Sequence, residues 1–395
     1  VLFHDQIGAR TWQYDINPAS PTPYAYIAGI AAIAGEDSQL LPVSTENGWD
    51  RLINHNAQFA GLAWGLAPTT NAPFWRRYLR ERYDPATWEI YPLAQHLAHD
   101  KVSFTYNNLD AAVHNHEVMA WTLGLGYGMT YVLPVEDLDD VARRQWLRWI
   151  DRMQKSVVAR YIGQEIQSFD HHWGTNTVNP DNGVIASGYG DIDVIANLGP
   201  QSLTTNGWTL PGYGYLATAP GLVAGHLIPP GESTAEVFVA ETNSATEVRF
   251  WIYSTGGRTG KIVLPAGYSG TAMVQVETNA PVSSVISNGV LSVMLPASAD
   301  TLLWSGMATF AAGPSSVFLV DFGRHDGGIN GDITTNPDLN GNYWNNIGPT
   351  TQAVSNGTKI ANMVNVANGA STLGIEMITA GWEANGILNG GLLAP

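Results

Sequence analysis

The stretch LLPVSTENGWD, Leu40 to Asp50, decides the fold when it is read together with VLFHD, Val1 to Asp5. Each stretch contains a short strand-like run that is followed by a carboxylate, Glu46 or Asp5. The Ala-rich segment between them, Tyr24 to Ala34, is typical of a helix. Alternation of strand and helix predicts parallel strands that are joined by crossover helices.

The alternation continues to about residue 170. We expect further elements at Trp49–Gly61 (helix), Val102–Tyr106 (strand), His116–Leu125 (helix), Met129–Leu133 (strand) and Val135–Ile166 (helix). These make only about four strand–helix units, whereas a closed (β/α)8 barrel needs about 250 residues. Residues 1–175 are therefore predicted to be the C-terminal half of a (β/α)8 barrel, and the N-terminal half is expected to be missing from this chain.

After residue 175 the sequence changes to an all-β pattern. Gly, Asn, Thr and Pro dominate, and short runs alternate apolar and polar side chains, as antiparallel strands do. We expect an antiparallel β domain trailing the barrel at 176–229, an immunoglobulin-like β-sandwich at 230–312 and an incomplete jelly-roll-like module at 313–395. The predicted fold class is thus multidomain, α/β followed by all-β.

The composition excludes several classes of function. Only 13% of the residues are charged and the net charge is −16, so the chain would be repelled by a phosphate backbone, and nucleic acid is not an expected partner. The absence of cysteine excludes disulfides, a thiol nucleophile and Cys-ligated zinc. The longest apolar run, Tyr24–Ala34, is too short to span a membrane. We expect a secreted or extracellular protein, at the cell surface or in the periplasm, that handles neutral, hydroxyl-rich ligands.

Asp5 and Glu46 are the candidate catalytic residues. Glycosidic cleavage needs two carboxyl groups, about 5–5.5 Å apart for retention and about 6.5–9.5 Å apart for inversion. Neighbouring strands lie about 4.8 Å apart, so carboxylates at the ends of successive strands can reach these separations. Active sites of parallel α/β folds also lie at the carboxyl ends of strands. The alternative interpretation is a structural Asp5, bound by loop amides or by Arg10.

Further residues are candidate substrate ligands, because they offer amides, a cation, carboxylates and aromatic faces on which a sugar ring can stack. They are His4, Gln6, Arg10, Trp12, Trp49, Asp50, Tyr106 and Asn107. Structural roles are the alternative: Asp50 can stabilise a helix N-terminus and Asn107 can form a turn. A chain with 14 Trp also places most of them in cores.

No cofactor or metal is expected in the active site. The His residues lack the HExxH spacing of catalytic zinc sites, and the Gly-rich stretch Gly124–Gly128 predicts a helix stop rather than a phosphate loop. A structural Ca²⁺ could bind through the oxygen atoms of Asp321, Asp326, Asn330 and Asp332. We favour the alternative of an acidic turn cluster without an ion.

The segment from Val1 to about Leu227 resembles the later strands and trailing β-domain of barrel glycoside hydrolases, in particular the α-galactosidase and endo-α-N-acetylgalactosaminidase superfamily. The trailing part of this likeness is GDIDVIANLG, Gly190–Gly199, followed by GYGYLATAPG, Gly212–Gly221. The resemblance implies that Asp5 is the nucleophile and Glu46 the proton donor. The block VFLVDFGRHDGGINGDITTNPDLNGNYWNN, Val317–Asn346, resembles a jelly-roll module of secreted bacterial polysaccharide-degrading enzymes.

The leading hypothesis is therefore a glycoside hydrolase that cleaves a polysaccharide or glycan, with retention of configuration. The first alternative is a non-catalytic carbohydrate-binding or surface adhesion protein, in which Asp5 and Glu46 are structural. A second alternative is a virion or surface-layer protein, which the low charge and the tail rich in Asn, Gly and Thr favour.

Overall fold

The computed structural model describes most of the first 310 residues and four short strands beyond them. The described residues are 1–5, 7–8, 16–22, 24–60, 93–105, 113–131, 135–172, 183–310, 319–321, 344–346, 359–360 and 375–376. The chain divides into two compact units, Val1–Phe310 and Ala311–Pro395. The boundaries predicted at residues 175 and 229 lie inside the first unit.

A four-stranded parallel sheet opens the first unit. Its strands lie in chain order, and each is hydrogen-bonded to the next: β1 Leu2–His4, β2 Val43–Glu46, β3 Gln58–Ala60 and β4 Ser103–Thr105. Helix α1, Ala25–Ser38, connects β1 to β2, and α2, Leu93–Ala98, precedes β4. A parallel bridge from Thr105 to Gly128 continues the pairing beyond β4. Four strands are fewer than a closed barrel contains, so the (β/α)8 assignment stays a prediction.

The predicted helix at Trp49–Gly61 is wrong. The chain instead forms a 3₁₀ turn, Asp50–Leu52, and then β3. Asn47 adopts a left-handed backbone with φ 55°, and its N–H donates to a carbonyl at the end of β3. Gly48 lies so close to the Phe59 ring that a Cβ there would approach it to 2.2 Å. Contacts with the sheet thus override the local helical pattern.

Three helical segments follow the parallel sheet: α3 His116–Gly124, α4 Val141–Met153 and α5 Ala159–Tyr161, with a π-helical turn, Gln154–Val158, between the last two. Asn115 caps α3, since its side-chain oxygen accepts the Val118 N–H at 3.0 Å. Helix α3 ends at Gly124, as the Gly-rich stretch predicts. Among the described residues, no helix combines the length and the apolar character that crossing a membrane requires.

The single helix predicted at Val135–Ile166 is interrupted. Residues Val135–Leu138 form a 3₁₀ turn, and Asp140 begins a new helix by accepting the Arg143 N–H at 3.1 Å. This N-cap explains the break, because a capping carboxylate requires an extended backbone at its own position. At the other end, Ile166 already belongs to the next strand.

A twelve-stranded antiparallel sheet makes up the rest of the first unit. The strands after β4 are β5 Ile166–His172, β6 Val184–Tyr189, β7 Ile192–Asn197, β8 Leu203–Thr205, β9 Trp208–Leu210, β10 Tyr215–Ala219, β11 Leu222–Leu227, β12 Glu236–Ser244, β13 Glu247–Tyr253, β14 Thr259–Val263, β15 Thr271–Val276, β16 Val282–Ser287, β17 Val290–Met294 and β18 Leu303–Phe310. The order in the sheet is β14-β17-β16-β15-β18-β13-β12-β11-β10-β7-β6-β5, and β8 and β9 form a separate hairpin. The all-β character predicted for this part of the chain is confirmed.

The central strands of this sheet are buried on both faces. Tyr215 of β10 and Val239 of β12 belong to one apolar core, together with side chains of the helices and of the parallel sheet. Leu216 and Phe238, which alternate with them, belong to a second core. The sheet curls so that β14 packs against β12, and β12 to β18 thereby enclose the second core as a sandwich.

The second unit contributes two short strand pairs to the described residues. Strand β19, Leu319–Asp321, pairs in parallel with β20, Trp344–Asn346. Strand β21, Lys359–Ile360, pairs antiparallel with β22, Ile375–Glu376. These pairs leave the predicted jelly-roll-like module as a prediction.

Two stacked imidazoles join helix α3 to the antiparallel sheet. The rings of His116, at the start of α3, and His226, in β11, lie with centroids 4.0 Å apart and planes 30° from parallel. His116 Nδ1 lies 3.1 Å from the buried Tyr215 hydroxyl. Burial lowers the pKa of His116 to about 3, and the adjacent His226 adds to this effect. Burial lowers the pKa of His226 to about 4, against the opposing effect of a hydrogen bond to the Tyr213 backbone.

We therefore expect the contact between His116 and His226 to lose stability in mild acid. Both rings are neutral in the folded state, whereas in the unfolded chain they take up protons below a pH of about 6.5. The neutral histidines therefore contribute their full stabilisation above this pH. As the pH is lowered towards 4, the free energy of unfolding falls, by about 1–2 kcal/mol per histidine at pH 5. The check is urea unfolding between pH 7 and 4 with the variant His116→Phe/His226→Phe, which should show a clearly shallower loss. An equally steep loss in this variant would contradict the assignment.

Candidate active site

The parallel register of β1 and β2 brings the two candidate catalytic residues to neighbouring positions. His4, the last residue of β1, pairs with Thr45, so the next position on each chain segment is Asp5 and Glu46. Asp5 lies in the turn after β1 with an exposed side chain, and Glu46 ends β2 with a half-buried one. Both acids therefore stand at the carboxyl edge of two adjacent strands.

Thr45 fixes the loop that carries Asp5. Its buried hydroxyl donates to the His4 carbonyl at 3.1 Å and accepts the Gly8 N–H at 2.8 Å. Gly8 approaches β2 so closely that a Cβ there would lie 2.7 Å from the Glu46 carbonyl oxygen. The loop thus folds back over the end of β2, and the backbone on both sides of Asp5 is held by one side chain.

Trp49 and Asp50 follow Glu46 across a short turn. Trp49 is half-buried and packs against the first apolar core, and its indole N–H has no hydrogen-bond partner among the described residues. Asp50 is exposed in the first turn of the 3₁₀ segment, where a carboxylate is favoured by the helix dipole. The position of Asp50 fits its structural alternative. The indole nitrogen of Trp49 is itself buried, so its contact with substrate stays a prediction.

His4 lies in a contact between β1 and α1. The residue is buried, and its Nε2 donates to Asp37 Oδ2 at 2.8 Å near the end of α1. This hydrogen bond ties the strand to its crossover helix. The contact is structural, and a direct contact of His4 with substrate stays a prediction.

The remaining candidate ligands lie outside the described residues. They are Gln6, Arg10, Trp12, Tyr106 and Asn107. Their assignments as substrate ligands therefore stay predictions from the sequence.

One face of the parallel sheet carries polar side chains that the sequence analysis does not single out. Ser44 pairs with Gln58, and Gln58 pairs with Ser103. The next row towards the carboxyl edge contains Glu46 and Thr105. Because side chains alternate along a strand, the members of both rows lie on the same face.

Hydrogen bonds connect these polar side chains across three strands. Ser44 Oγ donates to Gln58 Oε1 at 3.2 Å, and Gln58 Nε2 donates to Thr105 Oγ1 at 2.8 Å. The signal in the sequence is a weak period-two pattern: SFT alternates polar and apolar residues, whereas VSTE is polar at three successive positions and QFA contains one polar residue. Recognising it requires the strand at QFA, which the helical pattern obscures.

The opposite face of the sheet is buried and mainly apolar, with Thr45, the partner of Phe59, as a polar exception. Val43, Phe59 and Phe104 occupy it and are almost completely inaccessible. A parallel sheet covered by helices is ordinarily apolar on both faces. The polar face beside Glu46 therefore departs from the general pattern.

No metal centre is formed by the part of the chain that the structure describes: no three His, Asp or Glu side chains converge there. Asp321, one of the candidate Ca²⁺ ligands, ends β19. Asp326, Asn330 and Asp332 lie outside the described residues, so the structural Ca²⁺ also stays a prediction.

Comparison with protein-family models and with curated proteins gives no match for this sequence. Its function is therefore inferred from the geometry of the site and from the residues themselves.

Removing the Thr45 hydroxyl should loosen the loop that carries Asp5. Thr45→Val keeps the volume but leaves the Gly8 N–H and the His4 carbonyl without this partner, at a cost of about 1–3 kcal/mol in the free energy of unfolding. Urea unfolding measures the cost, and amide exchange should show that the Gly8 N–H loses its protection.

The matched control is Thr45→Ser, which keeps the hydroxyl and loses one methyl group, about 0.8 kcal/mol. Protection of the Gly8 amide should persist in this variant. A protected Gly8 amide in the Val variant would mean that other contacts hold the loop.

Proposed function

We propose that this chain is a glycoside hydrolase, in which Asp5 and Glu46 form the catalytic carboxylate pair at the carboxyl edge of the parallel sheet. The observation that carries the proposal is the register of β1 and β2, which makes the two acids successors of the paired residues His4 and Thr45. The polar face beside Glu46 supports it, because a sugar substrate offers many hydroxyls to such a surface.

The proposed mechanism is double displacement. Adjacent strands lie about 4.8 Å apart, which favours the shorter carboxyl separation of about 5–5.5 Å that retaining enzymes use. Asp5 attacks the anomeric carbon and forms a glycosyl ester, while Glu46 donates a proton to the departing oxygen. Glu46 then takes a proton from water, which attacks the same carbon and releases Asp5 as a carboxylate.

The proposed scaffold is the C-terminal half of a (β/α)8 barrel. Parallel strands that neighbour one another in chain order support it, since this is the strand order of such barrels. Among the described residues β1 is an edge strand, and Leu2 and Phe3 are 36% and 48% exposed. A further strand beside β1, from the N-terminal half of the barrel, would bury them.

The proposed substrate is a neutral polysaccharide or glycan outside the cell. The low share of charged residues and the absence of cysteine support this setting. The specific likeness to the α-galactosidase and endo-α-N-acetylgalactosaminidase superfamily belongs to the same proposal, and it indicates α-linked galactosides as the first substrates to assay.

Substitution of either acid tests the proposal directly. With aryl glycosides and polysaccharides as substrates, Asp5→Asn and Glu46→Gln should each lower kcat by at least about 10³-fold, because each removes a group that acts in the transition state. Asp139→Asn, at an exposed carboxylate in the turn before α4, is the control and should keep full activity. Near-normal turnover in both site variants would contradict the proposal.

Chemical rescue assigns the roles within the pair. In Asp5→Ala, added azide should attack the anomeric carbon in place of the carboxylate, restore part of the activity and yield a glycosyl azide of inverted configuration. If azide instead rescues Glu46→Ala and yields the glycosyl azide of inverted configuration, the roles of the two acids are exchanged.

Carbohydrate binding without catalysis is the second candidate function, and one cleft favours it. The cleft has a volume of ≈190 Å³ and lies between the β9 hairpin and the turn after β11, where Trp208, Thr209 and Glu232 line it. An indole beside a hydroxyl and a carboxylate is a suitable surface for stacking and hydrogen-bonding a sugar. Under this alternative, Trp208→Ala abolishes binding to polysaccharide, whereas Asp5→Asn and Glu46→Gln leave it unchanged in isothermal titration calorimetry.

A further inference from the structure

The side-chain amide of Gln58 has unused hydrogen-bonding capacity on the face that carries Glu46. An amide offers two N–H donors and a carbonyl oxygen with two lone pairs. Thr105 accepts one N–H and Ser44 donates to the oxygen. Among the described residues, these are the hydrogen bonds of this side chain, so one donor and one acceptor remain. Hydroxyls both donate and accept, so the same count holds if the amide is turned over.

Two buried partners hold this amide in place. Ser44 is 2% exposed and Thr105 is 7% exposed, whereas Gln58 between them is half-buried. A glutamine loses up to about 1.5–2 kcal/mol of side-chain entropy when it is fixed. Folding has already removed this freedom, so a ligand that contacts Gln58 meets a preorganised donor and acceptor.

The residue between Glu46 and Thr105 in the row nearest the carboxyl edge is Ala60. Ala60 is 8% exposed, and its single methyl group is smaller than the polar side chains on either side of it. Gln58 precedes Ala60 by two positions and lies on the same face. A sugar ring over Ala60 would thus have Glu46 on one side, Thr105 on the other and Gln58 next to it.

We propose that Gln58 is a specificity-determining residue that binds two adjacent hydroxyls of the sugar at the point of cleavage. Its remaining N–H donates to one hydroxyl, and its carbonyl oxygen accepts from the neighbouring one. The substrate class is a neutral sugar with a free vicinal diol, and deoxy or O-methylated sugars at these positions are rejected. This inference rests on the proposed glycosidase function.

A substrate–variant cycle tests the contact. The substitution is Gln58→Met, which keeps the length of the side chain and removes both hydrogen-bonding groups. Wild type and variant are assayed on a parent aryl glycoside and on its monodeoxy analogues. Wild type should lose about 10- to 100-fold in kcat/KM on the analogue that lacks the contacted hydroxyl. On the parent glycoside, kcat/KM of the variant should be lower than that of wild type by a similar factor. On that analogue, kcat/KM of the variant should be little lower than its own value on the parent.

The control for a merely structural role is Ser103→Ala. Ser103 lies on the same face, but its hydroxyl donates to the Ala57 carbonyl at 3.1 Å. Ser103→Ala should lower kcat/KM by the same factor on the parent glycoside and on every analogue. If the loss in kcat/KM caused by Gln58→Met and the loss caused by removing a hydroxyl multiply at every hydroxyl position, the assignment of Gln58 is overturned.

The outcome also separates this inference from the proposed function. If wild type binds the glycosides without cleaving them, the hydrolase proposal fails, and the same cycle run on Kd by calorimetry decides the role of Gln58. If wild type cleaves them and Gln58→Met shows no coupling, only the Gln58 inference fails. A chain that neither cleaves nor binds these sugars overturns both.

Discussion

The backbone of β10 to β12 has to serve two apolar cores at once, and much of the structure depends on this constraint. Tyr215 and Val239 fill one core while Leu216 and Phe238 fill the other. When both faces are apolar, alternation alone does not fix the strand register. Shape contributes instead: a Cβ on Gly225 would lie 2.1 Å from the Tyr215 carbonyl oxygen, so glycine is required where the backbones approach this closely.

The same constraint determines where the candidate active site lies. The first core contains Phe59 and Phe104 of the parallel sheet as well as Tyr215 and Val239 of the antiparallel one. The apolar face of the parallel sheet is therefore used for packing within the molecule. Its polar face is left for Ser44 and its hydrogen-bonded neighbours, so the side of the sheet that can receive a polar ligand follows from which side the core occupies.

Much of the fold could be predicted because period two is a strong signal in half-buried strands. The alternating pattern recognised after residue 175 corresponds to antiparallel strands such as β13 and β17. The failures have local causes. A capping carboxylate at Asp140 divides one predicted helix, and the close contact of Gly48 with Phe59 replaces another with a turn and a strand.

The site could be predicted only in part, for a related reason. Asp5 and Glu46 each follow a visible strand, and the rule that functional residues lie at strand ends suffices to select them. Gln58 lies in the short strand that the helical pattern obscures, and its neighbours Ser44 and Thr105 come from segments far apart in the chain. Only the register assembles the three, and register depends on long-range pairing that no single segment encodes.

The burial of β10 to β12 on both faces also has a thermodynamic consequence. A cut at Pro229-Pro230 would separate β11 from β12, which are hydrogen-bonded along their length, and would leave Leu216 and Val223 without the side chains that now cover them. Neither fragment would retain a closed interior. Val1–Phe310 should therefore melt in one cooperative transition, although its sequence looks like a succession of independent domains.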